Sequence, residues 1–185
     1  MTHPLDIFAF CPHCGAAAFV PHGGKAKHCE ACGFTYYLNP SAATVALIER
    51  TAGADAHTEW LCVRRAKEPA RGTLDLPGGF SDMDETSEQG VCREVREETG
   101  LEVERTEFLF SLPNRYEYSG MVIPTIDMFY RCHVADTTQA CAADDAAELL
   151  WLRPEDIDPA AFGLTSIRHG VTRLLAERNS RPAEL

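Results

Sequence analysis

The sequence predicts an α/β protein in which a mixed sheet lies between helices, preceded by a small cysteine-rich module. Three observations predict it. Short apolar runs separated by turn residues recur from Ser41 onward. Two segments carry helical periodicity. Four of the eight cysteines are paired near the amino terminus.

The cysteines come first in the chain. Cys11-x2-Cys14 and Cys29-x2-Cys32 are separated by fourteen residues, and each pair runs into glycine, Cys14-Gly15 and Cys32-Gly33. Two such knuckles direct four thiolates at one tetrahedral Zn²⁺; two disulfides, or replacement of a thiolate by His13 or His28, are the alternatives. Residues 1–38 are too few to form a core of their own, so the metal supplies much of their folding free energy and the segment reads as a zinc ribbon. Lys25 and Lys27 are expected to be solvated. Cys62, Cys92, Cys132 and Cys141 have no ligand spacing and are expected to be reduced, buried small apolar residues.

Residues 39–185 form the second predicted domain. Ala42–Ile48 and Trp60–Val63 read as strands with a hairpin connection at Gly53, followed by strands over Thr106–Leu112, Ile126–Val134 and Leu149–Leu152, with a turn at Ser119-Gly120. Ile167, Val171, Leu174 and Leu175 stand at helical spacing and predict a closing helix over Ser166–Arg178.

Between these strands lies GFSDMDETSEQGVCREVREETGL, residues 79–101. Thr86 and Gln89 have capping-box spacing, and Gly100-Leu101 is a helix stop, which predicts a helix from about Ser87 to Thr99. Glu94, Glu97 and Glu98, at i, i+3 and i+4, stack three carboxylates on one face, while Val91 and Val95 take a face suited to packing. Such a helix either accepts a solvated acidic face or uses a divalent cation to neutralise it, since hard cations take oxygen ligands.

The spacing Gly79-x5-Glu85-x7-Arg93-Glu94-Val95-x-Glu97-Glu98-x-Gly100-Leu101 resembles the Nudix box at every defined position, and Gly72 to Phe80 resembles the family's approach to it. Leu74, where many members have Trp, and Asp84, where Gly is frequent, depart from the pattern; Asp tolerates unusual turn dihedrals, so the loop should survive. The resemblance implies a Nudix α/β/α sandwich hydrolysing a diphosphate bond with Mg²⁺ or Mn²⁺ held by Glu94, Glu97, Glu98 and the Gly79 carbonyl. Arg93 and Glu85 would orient those ligands, and Glu97 or Glu148 would act as general base. The ribbon resembles the one that precedes the domain in relatives such as the NADH pyrophosphatase group, where ribbons sometimes help form homodimers.

That group carries SQPWPFPxS downstream of the box, whereas this chain has Ser111-Leu112-Pro113-Asn114-Arg115-Tyr116. NADH is therefore not the expected preferred substrate; a nucleoside diphosphate linked to another moiety, as in ADP-ribose, FAD or a dinucleotide, is. Arg64, Arg65 and Arg115 are candidate phosphate contacts, and Tyr116 and Tyr118 candidate base-stacking residues. A nucleoside triphosphate pyrophosphohydrolase and a non-catalytic nucleotide sensor are the alternatives. With 28 acidic against 17 basic residues, the net charge of −11 disfavours general nucleic-acid binding. MTHPLDIFAFCPHC lacks a signal-peptide pattern and no segment reaches membrane-spanning length, so the expected location is the cytoplasm, with no membrane partner.

Overall fold

The computed structural model describes residues 3–180. The chain divides into two compact units, Met1–Ser41 with Arg115–Pro124, and Ala42–Asn114 with Thr125–Leu185. This differs from a single cut after residue 38, because the tip of one long hairpin groups with the amino-terminal residues.

In the first unit, β1 (Phe19–Pro21), β2 (Ala26–Cys29) and β3 (Thr35–Tyr37) form a three-stranded sheet in that order, with β1–β2 and β2–β3 antiparallel. Its core consists of Cys11, Phe19 and Cys29, with Ala16 and Phe34 packed against them. Lys27 departs from expectation. It is buried, donates to the Phe8 carbonyl at 2.7 Å and lies over the Phe19 ring, so its stem and charge are spent on the ribbon itself. Lys25 bonds Asn39 Oδ1 at 3.1 Å.

Strands β4 (Ser41–Ala52), β5 (His57–Arg65), β6 (Leu74–Asp75), β7 (Gly78–Phe80), β8 (Val103–Tyr118), β9 (Met121–Val134) and β10 (Ala146–Leu152) build a mixed seven-stranded sheet that belongs to the second unit except for Ser41 and the tip of the β8–β9 hairpin. Its order is β10-β5-β4-β9-β8, with β6 on β5 and β7 on β4. Helices α1 (Ser87–Thr99) and α2 (Thr165–Ser180) match the two predicted helices. The strands extend beyond the apolar runs that announced them because the polar ends of β4, β5, β8 and β9 continue the ladders. Ser119 and Gly120 turn β8 into β9, both with positive φ, as a tight two-residue hairpin of the I′ type requires.

Central strands are apolar without a break because both faces are covered. On β4, Val45 and Leu47 enter a core with Trp60, Phe129, Phe162, Ile167, Val171 and Leu174. Ala46 and Ile48 enter a second core with Leu61, Val91, Val95, Leu101 and Tyr130. The sheet thus lies between the α1 and α2 cores. Val91 and Val95 are fully buried, each burial stabilising by about 1.5–3 kcal/mol. On the α2 side, a Cβ on Gly170 would come within 2.3 Å of the Phe129 ring, so the helix packs closely there only because the residue has no side chain. Cys62 and Cys132 are buried as expected; Cys92 is half-buried and Cys141 exposed, which corrects the expectation for those two. Among the described residues, no helix is long and apolar enough to cross a membrane.

Candidate metal centres and active site

The ribbon centre follows from its geometry. The four Sγ atoms of Cys11, Cys14, Cys29 and Cys32 all lie within 4.8 Å of one another, with Cys11–Cys32 at 3.8 Å and Cys14–Cys29 at 3.7 Å. Four sulfurs about 2.3 Å from one tetrahedral Zn²⁺ are separated by about 3.8 Å, whereas a disulfide requires about 2.05 Å. The donor set fits zinc, and none of the four cysteines is joined in a disulfide. His13 stacks on Phe34 and His28 bonds Thr35 Oγ1 at 2.8 Å, so neither replaces a thiolate.

The acidic cluster is assembled by α1 and β7. Thr86 Oγ1 accepts from Gln89 N–H at 3.2 Å and Gln89 Oε1 accepts from Thr86 N–H at 2.8 Å, a reciprocal capping box. The entering loop needs a positive φ at Asp84, which Asp tolerates, and α1 ends on left-handed Gly100. Gly79 lets the helix approach β7: a Cβ there would lie 2.6 Å from the Glu94 carboxyl carbon and Oε1. Gly78 donates its N–H to Glu98 Oε2 at 3.0 Å. Gly79→Ala is accordingly expected to displace the Glu94 carboxylate. Activity should fall by about a hundredfold or more with the fold retained, and steady-state kinetics beside circular dichroism checks this.

Arg93 ties the cluster together. It donates to both Glu85 oxygens (3.1 and 2.8 Å), to Glu94 at 2.9 Å, to Glu97 at 3.0 Å and to the Phe80 carbonyl at 3.0 Å. One guanidinium thus fixes three carboxylates and the end of β7. The bond from Arg93, with one from the Asp82 N–H, holds Glu85 below the ordinary carboxylate range. Burial pushes Glu94 up against the opposing pull of Arg93. Glu98 is pushed up to about 8, first by burial and then by the charges of Asp75, Glu94 and Asp145, against the single Gly78 hydrogen bond. Glu97 is about half-exposed.

Asp144 and Asp145 were missed in the sequence. The loop before β10 is tethered to the end of α1 by Cys141 N–H to Thr99 O at 2.9 Å and Ala143 N–H to Glu98 O at 3.0 Å. This brings the Asp144 charge to bear on Glu94 and the Asp145 charge on Glu98. Lys67 pairs with both aspartates. Adjacent acids just ahead of Glu148 were the available signal.

The remaining candidates lie on other elements. Glu148 lies on β10 opposite Arg64, which bonds it at 2.9 Å and reaches the Gly72 carbonyl at 3.1 Å. The proposed base and one proposed phosphate contact therefore hold each other. Arg65 is engaged with buried Asp75 at 2.6 Å and the Pro69 carbonyl at 2.8 Å, tying β5 to β6 and the loop before it. Arg115, Tyr116 and Tyr118 fall in the first unit, where the two tyrosine rings stack at 6.4 Å between centroids.

The model of the NUDIX domain matches residues 39–175. This chain belongs to the Nudix family. Among curated relatives, it is 34% identical over 118 residues to the NAD-capped RNA hydrolase NudC of Deinococcus radiodurans, covering 64% of this chain and 41% of that protein. It is 36% identical over 133 residues to the ADP-ribose pyrophosphatase of Methanocaldococcus jannaschii, covering 70% and 71%. The chain spans only 41% and 58% of the length of two NudC relatives it matches, those of D. radiodurans and Stutzerimonas stutzeri. Among solved structures, a NUDIX hydrolase from Nitrosomonas europaea superposes with a TM-score of 0.69 at 25% identity, covering 94% of each chain.

Proposed function

We propose that this Nudix protein is a divalent-metal-dependent diphosphatase acting on a nucleoside diphosphate linked to another moiety. The observation that carries it is the fit of Gly79, Glu94 and Glu98: a glycine whose missing Cβ makes room for one carboxylate, beside a second carboxylate so buried that it keeps its proton to about 8. A surface helix has no use for a buried acid among other acids; a cation site does. Glu94, Glu97, Glu98 and the Gly79 carbonyl would hold Mg²⁺ or Mn²⁺, which when bound masks phosphate charge and polarises phosphorus.

Arg93 sets the direction of Glu85, Glu94 and Glu97. Glu97, joined through Arg93 to Glu85 and Glu94, is preferred as general base over Glu148, which pairs with Arg64 away from that network. Arg64 and Arg65 are better explained by the partners they already hold.

Two relatives support the linked-moiety class, one named for ADP-ribose and one for NAD-capped RNA. The test is incubation with Mg²⁺ or Mn²⁺ and a panel of ADP-ribose, FAD, NADH, a dinucleoside polyphosphate, NAD-capped RNA and nucleoside triphosphates, with products identified by mass. ADP-ribose, FAD or the dinucleoside polyphosphate should give the highest kcat/KM, the first two yielding two monophosphate products each and the polyphosphate yielding two nucleotides that divide its phosphates between them. Highest kcat/KM for NADH would overturn the reading of residues 111–118, and pyrophosphate release from triphosphates would favour the pyrophosphohydrolase.

A further inference from the structure

Two hydroxyls beside the acidic cluster, Thr44 Oγ1 and Ser81 Oγ, are buried without a hydrogen-bond partner. Thr44 is only 1% exposed. It sits on β4 directly opposite Gly79 of β7, and residues opposite each other in an antiparallel pair project to the same face. That face is known at three points. The Cβ missing from Gly79 would meet Glu94, Ala46 and Ile48 of β4 pack with Val91 and Val95 of α1, and Ser81 Oγ lies 3.4 Å from where a Cβ of Gly90 would be. Thr44 Oγ1 therefore faces α1 at the level of the Glu94 carboxyl. A buried hydroxyl without a partner destabilises a fold, and valine has the same shape and the same preference for strands without that penalty.

We infer that Thr44 is a positioning residue for the cation proposed at Glu94. Its hydroxyl donates to the Glu94 carboxylate when the cation is bound and so holds that carboxylate in place. The inference rests on the diphosphatase reading of the cluster. It extends the set of groups that build the site from α1 and β7 to a central strand of the sheet.

The test is Mn²⁺ affinity by electron paramagnetic resonance, without substrate, together with the melting temperature of cation-free protein. Thr44→Val should melt at the wild-type temperature or above it and bind Mn²⁺ about ten- to a hundredfold more weakly. Thr44→Ser and Thr44→Ala both lack the methyl group and differ only in the hydroxyl, so the serine variant should bind Mn²⁺ more tightly than the alanine variant by a similar factor even if valine disturbs folding. Equal affinity of the serine and alanine variants would overturn the role of Thr44. Equal affinity of wild type and Glu94→Gln would instead overturn the cation site itself, which separates the two failures.

Discussion

Replacing Glu98 with Gln is expected to lower kcat/KM by at least about a hundredfold while leaving cation-free protein as stable as wild type or more so. The Gln keeps the size of the side chain and removes the negative charge that a cation requires. The pH dependence is the sharper signature. Glu98 is raised from 4.5 to about 8 on folding, so the folded chain binds its proton more tightly than the unfolded chain. Its contribution to stability is fully present below about 4.5 and is lost as pH rises through about 8. Across that window wild-type protein should lose melting temperature relative to Glu98→Gln, and added Mn²⁺ should restore wild type more than the variant through linkage. Near-wild-type turnover in the variant, or a melting difference that does not change with pH, would defeat the assignment.

The second large effect is expected in the ribbon. Purified protein should hold one tightly bound zinc, and Cys29→Ser should lose it together with the fold of residues 19–37. The apolar core there is Cys11, Phe19 and Cys29 with two flanking residues, far too little to offset the entropy of ordering the segment. Structural zinc contributes about 10–16 kcal/mol in comparable peptides. Both tryptophans, Trp60 and Trp151, lie in the other unit, so a fluorescence melt should change little while amide exchange across β1–β3 accelerates. Metal analysis finding no zinc in protein purified under reducing conditions without chelator would sink the ribbon centre.

What was legible in the sequence was whatever short-range chemistry determines. The capping box at Thr86 and Gln89, the stop at Gly100, the paired knuckles and the unbroken apolar runs of β4 and β5 each follow from residues a few positions apart. What was not legible depends on pairing across the sheet. Arg64 meets Glu148 only because β10 lies beside β5, eighty-four positions apart in sequence. Burial of Asp75 fixes Arg65, a partner that no spacing advertises. Asp144 and Asp145 join the cluster because backbone bonds to Glu98 and Thr99 fold their loop onto the end of α1. Charge alone suggests exposure for Lys27, but its ammonium lies over the Phe19 ring and reaches the Phe8 carbonyl. Strands β6, of two residues, and β7, of three, are too short to carry a period, and β7 includes the glycines on which the cluster depends.

The most direct test of the central claim is Mn²⁺ binding to wild type and to the Glu94→Gln/Glu98→Gln double variant, each at about pH 6 and about pH 9. A cation site predicts wild-type affinity that rises with pH as Glu98 gives up its proton, and a double variant that binds weakly at both. Equally weak binding by the two proteins at both pH values would mean that α1 carries a solvated acidic face and no metal site.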